Sequence, residues 1–204
     1  MDIKLPTLDS GHPAPKRPES GGRAPDRRVE RTRRTLHRAL IGLILERGWD
    51  EISVKDVCEA ADVGRSTFYA HYADKEELMA SGFDGLGAYL RAPETRAHGR
   101  PGTSLVFVWP LIGHALEFRP LFRALMGKQS GRIIQRRFRG LVHDLVGEEL
   151  AGRDLGPLPR ESTVRFVASG VVEILSWMLE GRTGDADAVD REIQLLVGRL
   201  TGPA

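Results

Sequence analysis

The chain has 204 residues, 41% of them hydrophobic, and a formal net charge of +2, which suits one or two small domains with an apolar core. No apolar run reaches the ~18 residues that a membrane-spanning helix needs, and the N-terminus lacks the apolar stretch of a secretory signal. The single cysteine, Cys58, excludes an intramolecular disulfide and a cysteine-based zinc site, so we expect a cytoplasmic protein with no metal, no cofactor and no membrane partner.

The N-terminal segment is unusual in composition and in charge. Residues 1–25 contain five prolines and three glycines, which predicts a disordered arm. Between residues 16 and 38, nine Lys or Arg face three acidic residues, so the rest of the chain is slightly acidic. A local basic segment favours contact with a polyanion, although a solvated tail has the same composition.

The first predicted helix runs from Asp26, a candidate cap, to Gly48, a candidate C′ residue. Its apolar face is formed by residues at helical spacing, among them Leu36, Leu40 and Ile44. The arginines of this helix lie off that face and are free to meet a phosphate backbone: Arg27, Arg28, Arg31, Arg34 and Arg38.

A second helix is predicted to begin at Val54, because Ser53 and Asp56 have the spacing of a capping box. A break follows at residues 62–64, and a short helix is predicted from Arg65 to His71. Two short helices joined by a three-residue break are typical of a helix-turn-helix, whose second helix enters the major groove of DNA.

The short helix has two chemically different faces. Phe68 and Tyr72 can anchor it to a core, while Arg65 at its start can reach a guanine edge or a phosphate. Lys75, at the start of the next helix, can hold a phosphate at the helix N-terminus. The outward positions carry side chains suited to close approach: Ser66, Thr67, Tyr69 and Ala70.

Asp74 and Glu77 predict the start of a linking helix over residues 74–90, followed by a loop over residues 91–103. The linking helix contains three glycines, Gly82, Gly85 and Gly87, and each weakens a helix by about 1 kcal/mol relative to Ala. We hypothesise that this weakness lets the rest of the protein reorient the DNA-binding helices. Fraying or close packing would explain the glycines equally well.

The remaining sequence predicts further helices near residues 104–117, 119–127, 131–151, 160–181 and 186–201, and no β-hairpin. The chain is therefore predicted to be all-α, with a C-terminal helical bundle over residues 104–204. Aromatic and polar side chains in this part could line a ligand pocket, although such a set is more often ordinary core: Trp109, His114, Phe118, Phe122, Phe138 and Trp177.

The segment ISVKDVCEAADVGRSTFYAHYADKEELMASGF resembles the DNA-binding domain of the TetR family of bacterial regulators, over roughly residues 33–83. The resemblance implies an all-helical homodimer in which residues 26–73 bind operator DNA and residues 104–204 bind a ligand and dimerise. It implies base-edge or phosphate roles for Arg65, Ser66 and Tyr69. It further implies phosphate or backbone contacts from a second set: Ser53, Lys55, Thr67, His71 and Lys75.

The family resemblance also suggests that the last two helices form a four-helix dimer interface. The alternative is that their apolar residues fill the core of one subunit. The interface is predicted to use the apolar stripes of both helices: Val164, Val167, Val171, Ile174, Leu175, Met178, Ile193, Leu196 and Leu200.

Two positions depart from the family pattern in the turn. Asp62 stands where the family often has Gly, and Gly64 stands where it often has a Ser or Thr cap. Aspartate tolerates a left-handed backbone, and glycine is an acceptable cap, so the fold is expected to survive both changes.

The function expected from this sequence is that of a DNA-binding transcriptional regulator, a ligand-responsive repressor that binds a palindromic operator as a homodimer. A small hydrophobic effector is a further expected partner. One alternative is a small helical-bundle enzyme, but no catalytic triad, metal-ligand spacing or phosphate loop is found, so no catalysis is expected. The other alternative is an architectural DNA-binding protein without sequence preference.

Overall fold

A computed structural model describes residues 24–100, 104–126, 132–155, 157–181 and 185–201. Within these ranges the chain forms ten α-helices and no strand, as the predicted all-α class requires. The helices are α1 Ala24–Arg47, α2 Val54–Ala61, α3 Arg65–Tyr69, α4 Lys75–Arg91, α5 Pro93–Ala97, α6 Val108–Glu117, α7 Arg119–Met126, α8 Arg132–Glu149, α9 Arg160–Leu179 and α10 Ala186–Thr201.

The two ends of α1 compare differently with the prediction. The helix begins at Ala24, two residues before the predicted cap Asp26, and most of the predicted N-terminal arm lies outside the described residues. At the other end Gly48 adopts φ 80°, and its N–H donates to the carbonyl of Ile44 at 3.0 Å. The predicted glycine cap is therefore confirmed, since a left-handed residue is most easily supplied by glycine.

The loop predicted over residues 91–103 is wrong in part, because Pro93 opens the short helix α5. Proline suits the first helical position, where its missing N–H has no intrahelical partner. The next helix, α6, begins four residues later than predicted. The amide of Gln194 explains the delay, because it accepts from the Leu105 N–H at 3.0 Å and donates to the Leu105 carbonyl at 2.8 Å. The Leu105 carbonyl, which would accept from the N–H four residues later in a helix, is thus engaged by a distant side chain.

The first three helices pack around a core that continues into α4. Its most deeply buried side chains include Leu36 and Leu40 of α1, Val57 of α2 and Phe68 of α3, with Leu78 of α4 against them. Because α4 then runs on to pack against α8, one helix belongs both to the N-terminal unit and to the bundle. Helix α4 is thus in contact with both α1 and α8.

Helix α9 is the central helix of the bundle and packs against α6, α7, α8 and α10. By length and composition alone it would be long enough and apolar enough to cross a membrane. Nine of its residues are nevertheless buried against neighbouring helices, which is the environment of a core helix. Its apolar composition is thus accounted for by packing inside the subunit.

Candidate nucleic-acid interface

The start of α2 is fixed by the predicted capping box. The Ser53 N–H donates to Asp56 Oδ2 at 2.8 Å, and the Asp56 N–H donates to Ser53 Oγ at 3.2 Å. Hydrogen bonds from Ser53 lower the pKa of Asp56, which keeps this carboxylate ionised at the helix start. Ser53 is exposed, but its N–H and hydroxyl are both engaged by Asp56, so any DNA contact from Ser53 would compete with the cap.

The turn between α2 and α3 depends on Asp62, which has φ 51° and ψ 47° in the left-handed region. Its own N–H donates to the Glu59 carbonyl, and the Val63 N–H donates to the Cys58 carbonyl at 3.0 Å. These bonds close the end of α2 and aim the chain into α3. The expectation that aspartate substitutes for the usual glycine in this turn is confirmed.

Helix α3 presents a polar face to solvent over its whole length. Arg65, Ser66 and Thr67 are exposed, and the Tyr69 side chain is 57% exposed. Because the exposed Tyr69 has few contacts within the subunit, moving it into a DNA groove would break few of them. In the groove its ring and its hydroxyl can both make contacts. The structure therefore brings four of the residues with predicted DNA contacts, Arg65, Ser66, Thr67 and Tyr69, onto one short helix.

The opposite face of α3 is held by two buried rings. Phe68 is fully buried, and Tyr72, just after the helix, is 5% exposed. Their ring centroids lie 6.0 Å apart, and Tyr69 packs edge-on against Phe68 at 5.5 Å. His71 is half-buried beside Tyr72, with centroids 6.3 Å apart. This packing fixes the orientation of the exposed face.

A polar contact missed by the sequence analysis joins three elements behind α3. Ser81 Oγ on α4 lies 2.7 Å from His37 Nε2 on α1 and 3.4 Å from the hydroxyl of Tyr72. The pKa of His37 falls to about 4 because burial disfavours its charged form and Arg33 repels the added proton. Only the position of His37 beside Leu36 in the apolar pattern could have signalled its burial.

Lys75 is placed differently from its predicted role as a phosphate ligand. Its ammonium donates to the carbonyls of Trp49 at 2.9 Å and Ile52 at 2.6 Å, and it lies 4.6 Å from the centre of the Trp49 ring. Two of its three donors are thus used to attach α4 to the connection between α1 and α2. A phosphate contact from Lys75 would have only the third donor available.

The remaining predicted DNA contacts lie on exposed helix surfaces. Arg28 and Arg31 are both exposed near the start of α1. Lys55 is exposed on α2 and lies 3.6 Å from Glu59, a spacing typical of a weak surface ion pair. These three cations remain accessible to a polyanion.

The predicted pocket residues divide into a buried cluster and two outliers. His114 is buried beside Phe118 and Phe122, with ring centroids 4.6 and 5.9 Å away. Phe122 packs edge-on against Phe138 at 5.5 Å. Phe83 and Tyr89 of α4 complete this ring cluster, although the prediction did not include them. The cluster thus links α4 to the bundle.

The two tryptophans do not belong to the ring cluster. Trp109 lies under the guanidinium of Arg100, whose carbon is 4.3 Å from the ring centre. Trp177 is 45% exposed on α9. No described ring contact joins Trp177 to the ring cluster, and its assignment to a ligand pocket stays a prediction.

The predicted dimer residues are mostly buried inside the subunit. Leu196 and Leu200 are exposed and Ile174 is half-buried, whereas the other six are at most 5% exposed and cannot meet a second subunit without opening the core. Those six assignments are wrong for this reason: Val164, Val167, Val171, Leu175, Met178 and Ile193. The face that α9 and α10 leave exposed, called here the apolar face, consists of Phe166, Trp177, Leu195, Leu196 and Leu200.

Comparison with known proteins shows which family this geometry resembles. Residues 37–81, from His37 to Ser81, match the model of bacterial regulatory proteins of the tetR family. Over 55 residues the chain is 42% identical to an uncharacterised HTH-type transcriptional regulator of Bacillus subtilis, YxbF, covering 26% of this chain and 14% of that protein. Over 96 residues it is 29% identical to the transcriptional regulator TcmR of Streptomyces glaucescens, covering 47% of this chain and 42% of TcmR.

These matches span less than half the length of either relative, but the structural likeness extends over most of the chain. A TetR transcriptional regulator from Streptococcus agalactiae superposes with a TM-score of 0.65 at 25% identity, covering 85% of this chain and 97% of that one. The helix-turn-helix, the linking α4 and the helical bundle are thus all matched by one solved structure. The chain is therefore similar to bacterial regulatory proteins of the tetR family, in sequence over residues 37–81 and in fold over most of its length.

Proposed function

We propose that this protein is a sequence-specific DNA-binding transcriptional regulator, a repressor that binds a palindromic operator as a homodimer. The observation that carries the proposal is the exposed polar face of α3, held from behind by Phe68 and Tyr72. Such a face can enter the major groove, where Arg65 can donate to a guanine edge and Ser66 or Thr67 to a phosphate. The exposed Arg28 and Arg31 would add backbone contacts and make binding depend on salt.

Each part of the chain would have a separate role. Residues 26–73 would bind DNA, residues 74–90 would form the linking helix, and residues 104–204 would bind an effector and form the dimer. The continuity of α4 from the helix-turn-helix into the bundle supports this division, because it gives the two units a common helix. Residues 1–25 would act as a basic arm next to the DNA.

The apolar face on α9 and α10 supports dimerisation. Phe166 is 68% exposed and Leu195 is 62% exposed, while Phe166 and Trp177 are three helical turns apart on the same side of α9. Large apolar side chains concentrated on one surface mark an interface with another molecule. In a symmetric dimer, α9 and α10 of each subunit would pack against the same helices of the partner, giving a four-helix contact.

The ring cluster around His114 supports regulation by a small hydrophobic effector. Its side chains come from α4, α6, α7 and α8, so a ligand that separated the rings would move α4 relative to the bundle. His114 would supply the polar contact in an otherwise aromatic site. Movement of α4 would then alter the separation of the two α3 helices in the dimer.

Selection of bound duplexes from a random pool tests the proposal. The purified protein should enrich a palindrome whose half-sites lie about one DNA turn, roughly 34–36 Å, apart. The enriched duplex should resist competition by unrelated DNA, which separates a regulator from an architectural protein. With the palindrome placed upstream of a reporter gene, expression should fall when the protein is present. Absence of any enriched sequence would refute the proposal.

A further inference from the structure

The first half of α8 carries an exposed basic surface that the proposed function does not use. Residues 132–143 contain four arginines and no acidic residue. Arg136, Arg137 and Arg139 are exposed, and Arg136 and Arg139 lie on the same side of the helix because they are three residues apart. This side faces away from Phe138, which is buried against the ring cluster.

The charge distribution along α8 is opposite to the one that stabilises a helix. A helix N-terminus favours acidic side chains and its C-terminus favours basic ones, by about 0.3–1 kcal/mol for each charge. Helix α8 instead has its arginines near the start and Asp144, Glu148 and Glu149 near the end. The two glutamates are compensated by Arg91 and Arg96, each at 2.6 Å. No described ion pair compensates the exposed arginines, so folding does not explain them.

The basic half of α8 lies at the end of the bundle that adjoins the helix-turn-helix. Helices α4 and α8 run in the same direction, because Phe83 packs on Phe138 and Arg91 pairs with Glu148. The start of α8 therefore lies near the start of α4, where Lys75 and Ser81 attach α4 to the first three helices. The acidic end of α8 is at the far end of the bundle.

The exposed arginines continue across the helices between α8 and α1. Helix α7 packs against both α8 and α1, and it carries the exposed Arg123. Helix α1 in turn carries exposed arginines, among them Arg31, Arg34 and Arg38. Helices α8, α7 and α1, which pack in sequence, therefore each carry exposed arginines.

We infer that Arg123, Arg136 and Arg139 form a second phosphate-binding surface through which the bundle itself contacts duplex DNA. The inference rests on the proposed function, because the helix-turn-helix must first bring the DNA to this end of the protein. These contacts involve only the phosphate backbone. They therefore add affinity without sequence preference, and each phosphate contacted adds about 0.9 to the slope of log affinity against log salt.

The test measures how the affinity for the selected palindrome falls with salt concentration. The palindrome is placed in two duplexes, a long one of about six helical turns and a short one of about two. The variant is Arg136→Gln with Arg139→Gln, since glutamine removes the charge and keeps helix propensity. We expect its salt slope on the long duplex to fall by about 2 relative to the unaltered protein. Its preference for the palindrome over a scrambled sequence should be unchanged.

The matched control is Arg165→Gln with Arg191→Gln, which removes the same charge from exposed positions at the other end of the bundle. Its slope should equal that of the unaltered protein, with sedimentation showing that every variant keeps the same oligomeric state. If both pairs lower the slope equally, net charge is the cause and the inference is overturned. If neither pair lowers the slope, the arginines of α8 do not contact the DNA, and the inference is likewise overturned.

The duplex lengths separate this inference from the proposed function. If the variant's salt slope falls on the long duplex alone, the arginines contact phosphates outside the palindrome. If it falls on both duplexes, they contact phosphates between the half-sites. Either result supports the inference. If the unaltered protein binds neither duplex, the proposed function fails and this inference fails with it. If the unaltered protein binds both duplexes and the Arg136→Gln, Arg139→Gln variant shows the same salt slope as the unaltered protein, only this inference fails.

Discussion

The helix-turn-helix and the bundle differ in how their surfaces are specified. In the helix-turn-helix, the exposed Tyr69 directly follows the buried anchor Phe68, so adjacent residues of the sequence define the two faces of α3. In the bundle, α9 is buried by four other helices, and its exposed side is decided by where those helices lie. Local sequence signals therefore identify a surface in the first region, whereas tertiary packing decides it in the second.

The largest expected effect contrasts the two sides of α3. Phe68→Ala should lower the free energy of unfolding by about 3–5 kcal/mol, because it leaves a cavity under the helix. Tyr69→Ala should change stability by less than about 1 kcal/mol, since surface substitutions cost little, yet it should weaken operator binding. Chemical denaturation and binding to the selected palindrome would measure both. Equal stability losses in the two variants would show that Tyr69 is part of the core.

The next effect makes the same contrast in the bundle, using two adjacent residues of α9. Phe166→Ser should weaken the dimer by about 2–4 kcal/mol, as expected for a central apolar interface residue, and should leave the subunit folded. Val167→Ala should instead destabilise the fold by about 2 kcal/mol, because Val167 is buried inside the subunit. Sedimentation and thermal unfolding distinguish the outcomes. A Phe166→Ser protein that dimerises normally would exclude the apolar face as the interface.

A third effect is pH dependence at the contact between the two regions. The folded pKa of His37 is about 4, below its ordinary 6.5, so the unfolded chain binds this proton more readily. Stability should therefore be complete above about pH 6.5 and should fall as the pH drops toward 4, by up to about 3 kcal/mol.

Arg33 and Tyr72 are the neighbouring charged and titratable groups, and Ser81 faces His37 from α4. His37→Gln keeps a hydrogen-bonding side chain and removes the titration. Denaturation at several pH values should show a shallower acid loss in this variant. If the slope between pH 4 and 6.5 does not change, His37 is not the group responsible.

The smallest effect concerns the glycines of α4. A Cβ on Gly85 would meet no atom within 4 Å, so Gly85→Ala should stabilise the protein by about 1 kcal/mol. A Cβ on Gly87 would lie 2.9 Å from Leu141 Cδ1, so Gly87→Ala should displace that contact between α4 and α8 and gain nothing.

Thermal unfolding would measure both variants, and DNA release by an effector would test the flexibility hypothesis. If the stiffened Gly85→Ala protein released DNA as readily as the unaltered protein, the weakness of α4 would not be part of the switch. A stable Gly87→Ala protein would show that Leu141 can move aside without cost.

The sequence was sufficient wherever a short-range signal decides the structure. The capping box at Ser53, the left-handed Asp62 and the glycine cap at Gly48 are local, and each was predicted correctly. The late start of α6 was not predictable, because it depends on Gln194, far away in the sequence. The inward turn of Lys75 likewise depends on two carbonyls in another connection.

The faces of α9 were misassigned for a related physical reason. An amphipathic helix shows its apolar stripe in the sequence, but Val171 and Phe166 are both apolar, and only the arrangement of neighbouring helices decides which one is buried. The two faces of α3 could be told apart in the sequence, because its outward residues are mostly polar and its buried anchors are aromatic.

The central claim is that the exposed face of α3 recognises base pairs, and binding of Arg65→Ala to single-base-pair variants of the selected palindrome tests it most directly. We expect this variant to lose about 1–3 kcal/mol of binding free energy on the palindrome and to stop discriminating at one base pair of each half-site. If the variant binds every sequence more weakly by the same factor, Arg65 contacts a phosphate and not a base. Unchanged affinity and unchanged discrimination would contradict the assignment of α3 as the recognition helix.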